Sequence, residues 1–275
     1  MPAFDEAPAP TELLNVIASH APVGKVVVVN DVVPLLWSPT INGVGVVVCS
    51  GTGSSVIGRD ARGRLVKVGG HEHIVSDQGS AYSLAREGLR AAARDADGTG
   101  PATKLRPTAE AFFGRPISAL GRWLAELPRA RTTVASFAPG VTASAENDDE
   151  VARTIVTTEV AALVHAVDVA ISRLTLEPMP PIGLAGGVLH GSDYFRTAVE
   201  RELSRCGLAD EACSNVQVVE ATGAAIRFAL RLTVPTGHDG PSSLPDGVVL
   251  DVGRGGAEWR SALTAAPESF GPDLP

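Results

Sequence analysis

The hydrophobic pattern of residues 43–80 predicts a small antiparallel sheet. A valine-rich run, Val44 to Cys49, ends abruptly in the sequence SGTGS at residues 50–54. A second apolar run covers Val56 to Gly58, and a turn signal with a returning strand follows over residues 60–68. Short valine-rich runs that stop at Gly and Ser are typical of buried strands that enter tight loops. The pattern therefore predicts a β-hairpin with a Ser- and Gly-rich loop at its mouth.

The loop at residues 50–54 is suited to binding an anion. Its backbone N–H groups and hydroxyls can point at one ligand, and its glycines allow positive φ angles and a close approach to the backbone. Ser and Gly are also common in ordinary turns, so a purely structural turn is the alternative.

The rest of the chain alternates between helical and strand patterns. Amphipathic or alanine-rich segments predict helices over residues 11–20, 80–95, 107–113, 117–126, 148–174, 193–206 and 222–232. Apolar runs predict further strands over residues 25–29, 182–185, 216–220, 248–251 and 258–263. Strands that alternate with helices, with a hairpin near the front, predict an α/β fold with a mixed sheet.

Composition narrows the class of protein. The chain has 275 residues, 44% of them hydrophobic, and a net charge of −8 without a basic stripe, which argues against a nucleic-acid surface. No uncharged apolar stretch approaches the roughly 20 residues that span a bilayer, and the acidic, Pro-rich start resembles neither a signal nor a transit peptide. Three cysteines without a CxxC motif indicate structural thiols in a reducing cytoplasm.

Two short segments carry candidate chemistry. Asp31 follows the apolar run at residues 25–29, and α/β enzymes place catalytic carboxylates just past a buried strand. A helix N-cap is the alternative role for Asp31. His71 and His73 flank Glu72 at a spacing that would put both imidazoles on one face of a strand, but no third metal ligand is evident. A solvent-exposed loop is the preferred interpretation there.

Several of these segments together resemble one family, the N-acetylglucosamine kinase-like sugar kinases. These kinases are grouped with the BadF/BadG/BcrA/BcrD activator ATPases within the actin/hexokinase superfamily. The matching segments are Asn30-Asp31, residues 50–54, Gly69-Gly70 with residues 76–80, residues 186–188 and residues 222–225. Their order and spacing fit the family from about residue 11 to 232. The resemblance implies an actin-like ATPase (ribonuclease H-like) fold.

The resemblance also implies a function, an ATP- and Mg²⁺-dependent kinase that phosphorylates a sugar or amino-sugar hydroxyl. Asp31 would be the general base. The ATP phosphates would lie on Ser50, Gly51, Thr52, Gly53 and Ser54. The adenosine would contact Gly186, Gly187 and Val188, and the sugar would contact Asn30, Gly70, His71 and Asp77. No metal ligand is assigned.

The chain departs from the family pattern at its first phosphate loop, a D-G-G-G-T hairpin expected before residue 11. Residues 248–263 resemble that hairpin displaced to the C-terminus, so Gly253, Gly255 and Gly256 would form a displaced phosphate loop. Gly253 stands where the family carries Asp, and a chance glycine turn is the alternative. His71 and Gln78 likewise replace a usual Trp and Glu of the sugar loop.

These departures shape the predicted organisation. Residues 1–10 would be a disordered leader, residues 11–42 and 233–263 a reduced first domain, residues 43–232 a complete second actin-like domain, and residues 264–275 a disordered tail. Unpaired sheet edges and apolar surface in a reduced domain predict a homodimer. Composition and cysteine use predict a cytoplasmic protein without nucleic-acid or membrane partners. The alternative function is a non-catalytic nucleotide- or sugar-binding member that acts as a regulator or complex subunit.

Overall fold

The computed structural model describes residues 31–174, 176–177 and 179–230 in full, together with the backbone of residues 24–28, 231–233, 248–253 and 256–261. The strands are β1 (Gly24–Val28), β2 (Gly45–Ser50), β3 (Ser54–Arg59), β4 (Leu65–Gly69), β5 (Ile182–Ala185), β6 (Val216–Val218), β7 (Val248–Gly253) and β8 (Gly256–Ser261). The α-helices are α1 (Ala81–Ala96), α2 (Leu105–Phe113), α3 (Ile117–Ala125), α4 (Ala130–Ala135), α5 (Ala138–Glu146), α6 (Glu150–Arg173), α7 (Gly187–Gly191), α8 (Asp193–Arg205) and α9 (Ala221–Thr233). A 3₁₀ helix covers Val33–Trp37.

A five-stranded mixed sheet with the order β4-β3-β2-β5-β6 forms the centre of the fold. β3 is antiparallel to both of its neighbours, β4 and β2. β5 is parallel to both of its neighbours, β2 and β6. The predicted hairpin and its returning strand are therefore present, and the loop between β2 and β3 lies at the same sheet edge as the carboxyl end of β5. In open α/β sheets this edge is where ligands bind.

Both faces of this sheet are buried, which explains the unbroken valine run of β2. Val46 and Val48 face one hydrophobic cluster with helices α1, α5, α6 and α8, and Val47 faces a second cluster with the 3₁₀ helix and α9. All three valines are fully buried. Side chains on a strand alternate between faces, so a strand covered on both sides needs apolar residues at every position.

Side-chain N-caps mark the starts of two of the core helices. The Ser80 side chain accepts a hydrogen bond from the Ser83 amide at the start of α1, and the Asp149 side chain accepts one from the Ala152 amide at the start of α6. Such N-caps stabilise a helix by about 1 kcal/mol. The sequence placed both helix starts within two residues of these caps.

Helix α6 crosses the core beneath the sheet. By length and composition it could span a membrane, the one such helix among the described residues. Its apolar positions, including Val156, Val160 and Leu163, are buried in the main hydrophobic cluster. Its opposite face carries exposed polar residues such as Thr157 and Asp168. This two-sided pattern is that of an amphipathic core helix.

A second, three-stranded antiparallel sheet pairs the two ends of the chain. β7 lies between β1 and β8, with Gly24 opposite Val252 and Val248 opposite Ser261. The paired strands belong to the two segments that the sequence analysis assigned to a reduced first domain. The division into domains stays a prediction. The predicted helix at residues 11–20, the leader, the linker and the tail lie outside the described residues.

The structure bears on three details of the sequence predictions. Helices α4 and α5 were not predicted, because their Ala-, Thr- and Gly-rich segments lack a strong apolar stripe. The alternative role of Asp31 as a helix N-cap is excluded, since the N-cap of the following 3₁₀ helix is Val32. Residues 71–73 lie outside any strand, which agrees with the preferred loop interpretation, so the two imidazoles of that segment do not share a strand face.

The carboxyl ends of β2 and β5 approach each other closely at Gly186. Its φ is +100° and its ψ is 159°, a backbone conformation that is essentially confined to glycine. A Cβ atom added there would lie 2.3 Å from the Ser50 carbonyl oxygen. Gly186 is therefore required for the fit between the two strand ends, whatever ligand binds nearby.

We expect Gly186→Ala to lower the free energy of unfolding by at least about 3 kcal/mol, through backbone strain and the clash with Ser50. Gly187→Ala is the matched control, because a Cβ at Gly187 meets nothing within 4 Å. Urea unfolding of both variants measures the difference. Equal stabilities would show that the strand ends can separate freely.

Candidate functional site

The loop between β2 and β3 is a tight turn whose backbone is held from within. The Gly51 amide donates to the Gly53 carbonyl at 2.9 Å, and the Gly51 and Thr52 carbonyls accept from the Ala81 and Tyr82 amides of α1. The Thr52 side chain is exposed and makes no hydrogen bond to the described residues. The turn therefore has its carbonyls occupied while the Thr52 hydroxyl remains available to a ligand.

The two serines that flank the turn have a structural role. The Ser50 hydroxyl donates to the Gly79 carbonyl at 2.6 Å, and the Ser54 hydroxyl donates to the Gln78 carbonyl at 2.6 Å. These bonds fasten the phosphate-loop candidate to the segment at residues 76–80. Both hydroxyls are consequently engaged in the protein, rather than free to meet phosphate as the family resemblance implied.

A buried carboxylate fastens the same segment to α6. Glu159 accepts hydrogen bonds from the Gly79 amide and, at 2.8 Å, from the Ser83 hydroxyl. The Glu159 side chain is buried in the middle of α6, and burial raises the pKa of its carboxyl above the ordinary value. The two hydrogen bonds oppose that rise, because they stabilise the charged form.

A polar cavity of about 550 Å³ opens on one side of the turn. Its ionisable lining consists of three carboxylates and two cations: Asp31, Glu72, Asp77, Lys67 and Arg131. The Asp31 side chain is exposed to this cavity and makes no hydrogen bond or ion pair to another described residue. Burial, with a contribution from the charge of Asp31, raises the pKa of the nearby Cys49 thiol to about 11. Cys49 therefore stays a neutral thiol at physiological pH.

A second cavity, of about 460 Å³, opens on the other side of the turn and has a mainly apolar lining. Its walls come from α1, α4, α5 and α7: Ala81, Ala135, Ser136, Ala138, Pro139, Thr142, Gly187, Val188, Gly191 and Ser192. An apolar cleft with a few polar groups at its rim is the usual form of a nucleoside pocket.

The two cavities share Gly51, Thr52 and Thr132 in their walls. A ligand with an apolar end and an anionic end could therefore lie in the apolar cavity and extend its anionic end across the turn. That arrangement would bring the anionic end to the cavity that contains Asp31.

An ion-pair cluster rests directly on the turn. Arg131 of α4 contacts the Asp77 carboxylate at 3.0 Å and also pairs with Glu72. An added Cβ on Gly53 would lie 2.6 Å from Asp77 Oδ2 and 2.8 Å from Arg131 Nη2, so the cluster touches the loop backbone. Burial raises the pKa of the Asp77 carboxyl, and the Arg131 guanidinium offsets part of the rise. Glu72 and Asp77 both have positive φ angles, a strain that concentrates at functional sites.

The predicted site residues lie in several different parts of the structure. Asp31, Gly51, Thr52, Gly53, Ser54, Gly70 and Asp77 line the polar cavity, whereas Gly187 and Val188 line the apolar cavity. Three other residues have different surroundings: Ser50 is buried beneath the turn, Gly186 lies against it, and His71 is exposed beside the cavity. Gly253 and Gly256 are strand ends of the β7–β8 hairpin, and Asn30 and Gly255 lie outside the described residues.

A family model describes most of this chain. The model of the BadF/BadG/BcrA/BcrD ATPase family matches residues 8–226. The chain belongs to the BadF/BadG/BcrA/BcrD ATPase family.

A curated protein with sequence similarity to this chain is named as a sugar kinase. An N-acetylmuramic acid/N-acetylglucosamine kinase from Clostridium acetobutylicum is 37% identical over 91 residues, which are 33% of this chain and 30% of that protein. The match therefore spans under a third of the curated relative.

Two solved structures share the fold. Proteins provisionally named N-acetylglucosamine kinases superpose from Chromobacterium violaceum (TM-score 0.55, 19% identity) and Porphyromonas gingivalis (TM-score 0.57, 17% identity). The superpositions cover 72% and 74% of this chain, and 64% and 66% of the two structures. The α/β fold with a mixed sheet is shared with these two structures, which confirms the predicted fold class.

Three lining residues of this family member were missed by sequence reasoning. Lys67, Arg131 and Thr132 all face the polar cavity. Lys67 lies on the returning strand β4, where a lysine in the sequence indicates an ordinary solvent-exposed side chain. Arg131 and Thr132 are on the unpredicted helix α4, about 80 residues beyond the loop that they contact, and no local motif marks them.

We expect the stability difference between Glu159→Gln and the wild-type chain to change with pH. The folded pKa of Glu159 is raised, so its contribution to stability is fully present below the unfolded pKa of about 4.3 and is lost as pH rises through the folded pKa. Glutamine does not titrate, and the variant should therefore gain on the wild type as pH rises. Urea unfolding between pH 4 and 8 measures this trend.

The exposed Glu146→Gln serves as the control for that comparison, since the same charge is removed without a buried partner. A stability difference that does not change with pH, or a Glu159→Gln variant that loses stability relative to the wild type as pH rises, would contradict the raised pKa of Glu159.

Proposed function

We propose that this chain is an ATP-dependent kinase that phosphorylates a hydroxyl group of a sugar or amino sugar. One observation carries the proposal: the turn at residues 51–53 separates an apolar cavity from a polar cavity that contains the exposed carboxylate of Asp31. Membership in an ATPase family and the sugar-kinase names of the relatives support it.

The nucleotide would occupy the apolar cavity with its phosphates directed across the turn. Val188 and Gly187 would border the adenosine, and the open space above Gly187 leaves room for it. The exposed Thr52 hydroxyl and the backbone amides of Thr52 and Gly53 would meet the phosphates. This is the anion-binding use of consecutive backbone N–H groups in a tight loop.

Asp31 would act as the general base in the polar cavity. Its carboxylate would take the proton from the acceptor hydroxyl as that oxygen attacks the terminal phosphorus and the bond to the ADP oxygen breaks. Phosphoryl transfer depends mainly on alignment and charge neutralisation, so one positioned base is sufficient protein chemistry.

Magnesium would accompany the nucleotide. Among the described residues no cluster of three His, Cys, Asp or Glu side chains could hold a metal ion, and Glu72 and Asp77 are already paired with Arg131. This donor set fits a Mg²⁺ that is held chiefly by phosphate oxygens and water, the usual mode in phosphotransferases. The bound ion would neutralise phosphate charge.

The acceptor would lie between Asp31 and the loop at residues 70–77. Gly70 has a φ of +73° and lines the cavity, which leaves backbone close to the ligand. His71 in place of the family Trp removes a stacking surface, so the acceptor can differ from N-acetylglucosamine. N-acetylmuramic acid belongs in the test panel because the name of the Clostridium relative includes it.

A non-catalytic nucleotide- or sugar-binding role is the second candidate. The observation that favours it is the β7–β8 hairpin, whose Gly253 stands where the first phosphate loop of the family carries Asp. The displaced phosphate loop and the homodimer also stay predictions. Exposed apolar side chains on α9, Ile226 and Leu230, are compatible with a covered face in an assembly.

We expect the full chain to bind Mg·ATP and to release ADP in the presence of an accepted sugar. Calorimetry measures the binding, and a coupled assay over a panel of sugars and amino sugars measures ADP release. Binding without ADP release would favour the non-catalytic candidate. Absence of both would remove the proposed function.

We expect Asp31→Asn to lower kcat by about 10²- to 10⁴-fold, because a general base contributes a factor of this size. ATP affinity should stay within about twofold, since Asp31 would face the acceptor rather than the nucleotide. Asp168→Asn, an exposed change on α6 outside both cavities, is the control. Unchanged turnover in Asp31→Asn would exclude Asp31 as the base.

A further inference from the structure

The Arg131 side chain approaches the backbone of the phosphate-loop candidate at Gly53. The guanidinium Nη2 atom would be 2.8 Å from a Cβ placed on Gly53, so the guanidinium rests on the middle of the turn. The next residue, Thr132, lines both cavities. Helix α4 therefore puts the cation beside the place where the two cavities join.

The hydrogen-bonding capacity of Arg131 is only partly used. Its Nη1 and Nη2 atoms pair with Glu72 and Asp77, but its buried Nε has no hydrogen-bond partner among the described residues. A guanidinium has five N–H donors in a planar fork. Nε is buried, but each Nη atom carries a second N–H group, and the Arg131 side chain is 31% exposed and lines the polar cavity.

The charge of the cavity makes such a donor necessary for an anionic ligand. Asp31, Glu72 and Asp77 contribute more negative charge around the turn than Lys67 and Arg131 balance, and a polyphosphate would add more. Without a fixed cation at Gly53, repulsion from Asp77 would oppose a phosphate on the turn. Arginine suits this position because its fork can bind a carboxylate on one edge and a phosphate on the other.

We propose that Arg131 binds the terminal phosphate of the nucleotide, while its ion pair with Asp77 holds the guanidinium on the turn. The inference rests on the proposed function, since it assigns a further residue to that same site. A purely neutralising role, in which Arg131 serves only to balance the buried Asp77, is the competing explanation.

The test is calorimetry of ATP, ADP and AMP, each with Mg²⁺, on the full chain and on Arg131→Met. ATP affinity should fall by about 10- to 100-fold, as expected for a lost charge-assisted hydrogen bond. AMP affinity should be unchanged, because AMP lacks the terminal phosphates. Unchanged ATP affinity, or an equal loss for all three nucleotides, would overturn the proposal.

Arg129→Met is the matched control. Arg129 precedes the same helix and is exposed, and its side chain makes no hydrogen bond or ion pair with the described residues. Its replacement should leave all three affinities unchanged. Arg131→Lys keeps the charge but loses the fork, and its ATP affinity should lie between those of the wild type and Arg131→Met.

The Asp77→Asn background separates the two explanations. It also removes the buried carboxylate that Arg131→Met alone would leave unpaired, so the double variant keeps the test usable if the single variant does not fold. If Arg131 binds phosphate, Arg131→Met should still weaken ATP binding by several-fold in this background. If Arg131 only balances Asp77, the second change should have no effect, and the proposal fails.

The two proposals fail in different ways. A wild-type chain that binds no nucleotide would overturn the proposed function and this inference together. Wild-type ATP binding that is insensitive to Arg131→Met would overturn this inference alone.

Discussion

The fold depends at its centre on two hydroxyl groups that fasten one loop to another. Ser50 and Ser54 stand at either end of the turn and donate to the carbonyls of Gly79 and Gln78. The amide of Gly79 in turn donates to Glu159 in the core helix α6. Because these bonds link a surface turn to the buried core, the turn has a fixed shape before any ligand arrives. A turn that is preorganised in this way would lose little conformational entropy on binding a ligand.

The same interlock positions the two cavities and the ion-pair cluster. The segment at residues 76–80 carries Asp77 against Gly53 and then starts α1, whose first residue, Ala81, lines the apolar cavity. Gly186 closes the arrangement from the other side through its contact with Ser50. A short stretch of loop thus determines where the two cavities and the Arg131 guanidinium lie relative to one another.

Sequence patterns predicted the parts of this arrangement that are encoded locally. Valine runs and Gly-Ser breaks marked β2, β3 and their turn, and the cap Ser80 marked the start of α1. The roles of Ser50 and Glu159 could not be predicted, because each bond joins residues 29 and 80 positions apart. Arg131 was missed for the same reason. The role proposed for it rests on a contact with Gly53 that only the folded chain creates.

The most direct test of a turn shared by two cavities is amide chemical-shift mapping by NMR on the isotope-labelled full chain. Adenosine should shift the amides of Gly187 and Val188 but leave that of Gly53, which lines only the polar cavity, unaffected. Mg·ATP should shift these amides and also those of Gly51, Thr52 and Gly53. Shifts from Mg·ATP that are confined to one cavity, or that avoid residues 51–53 altogether, would contradict the account.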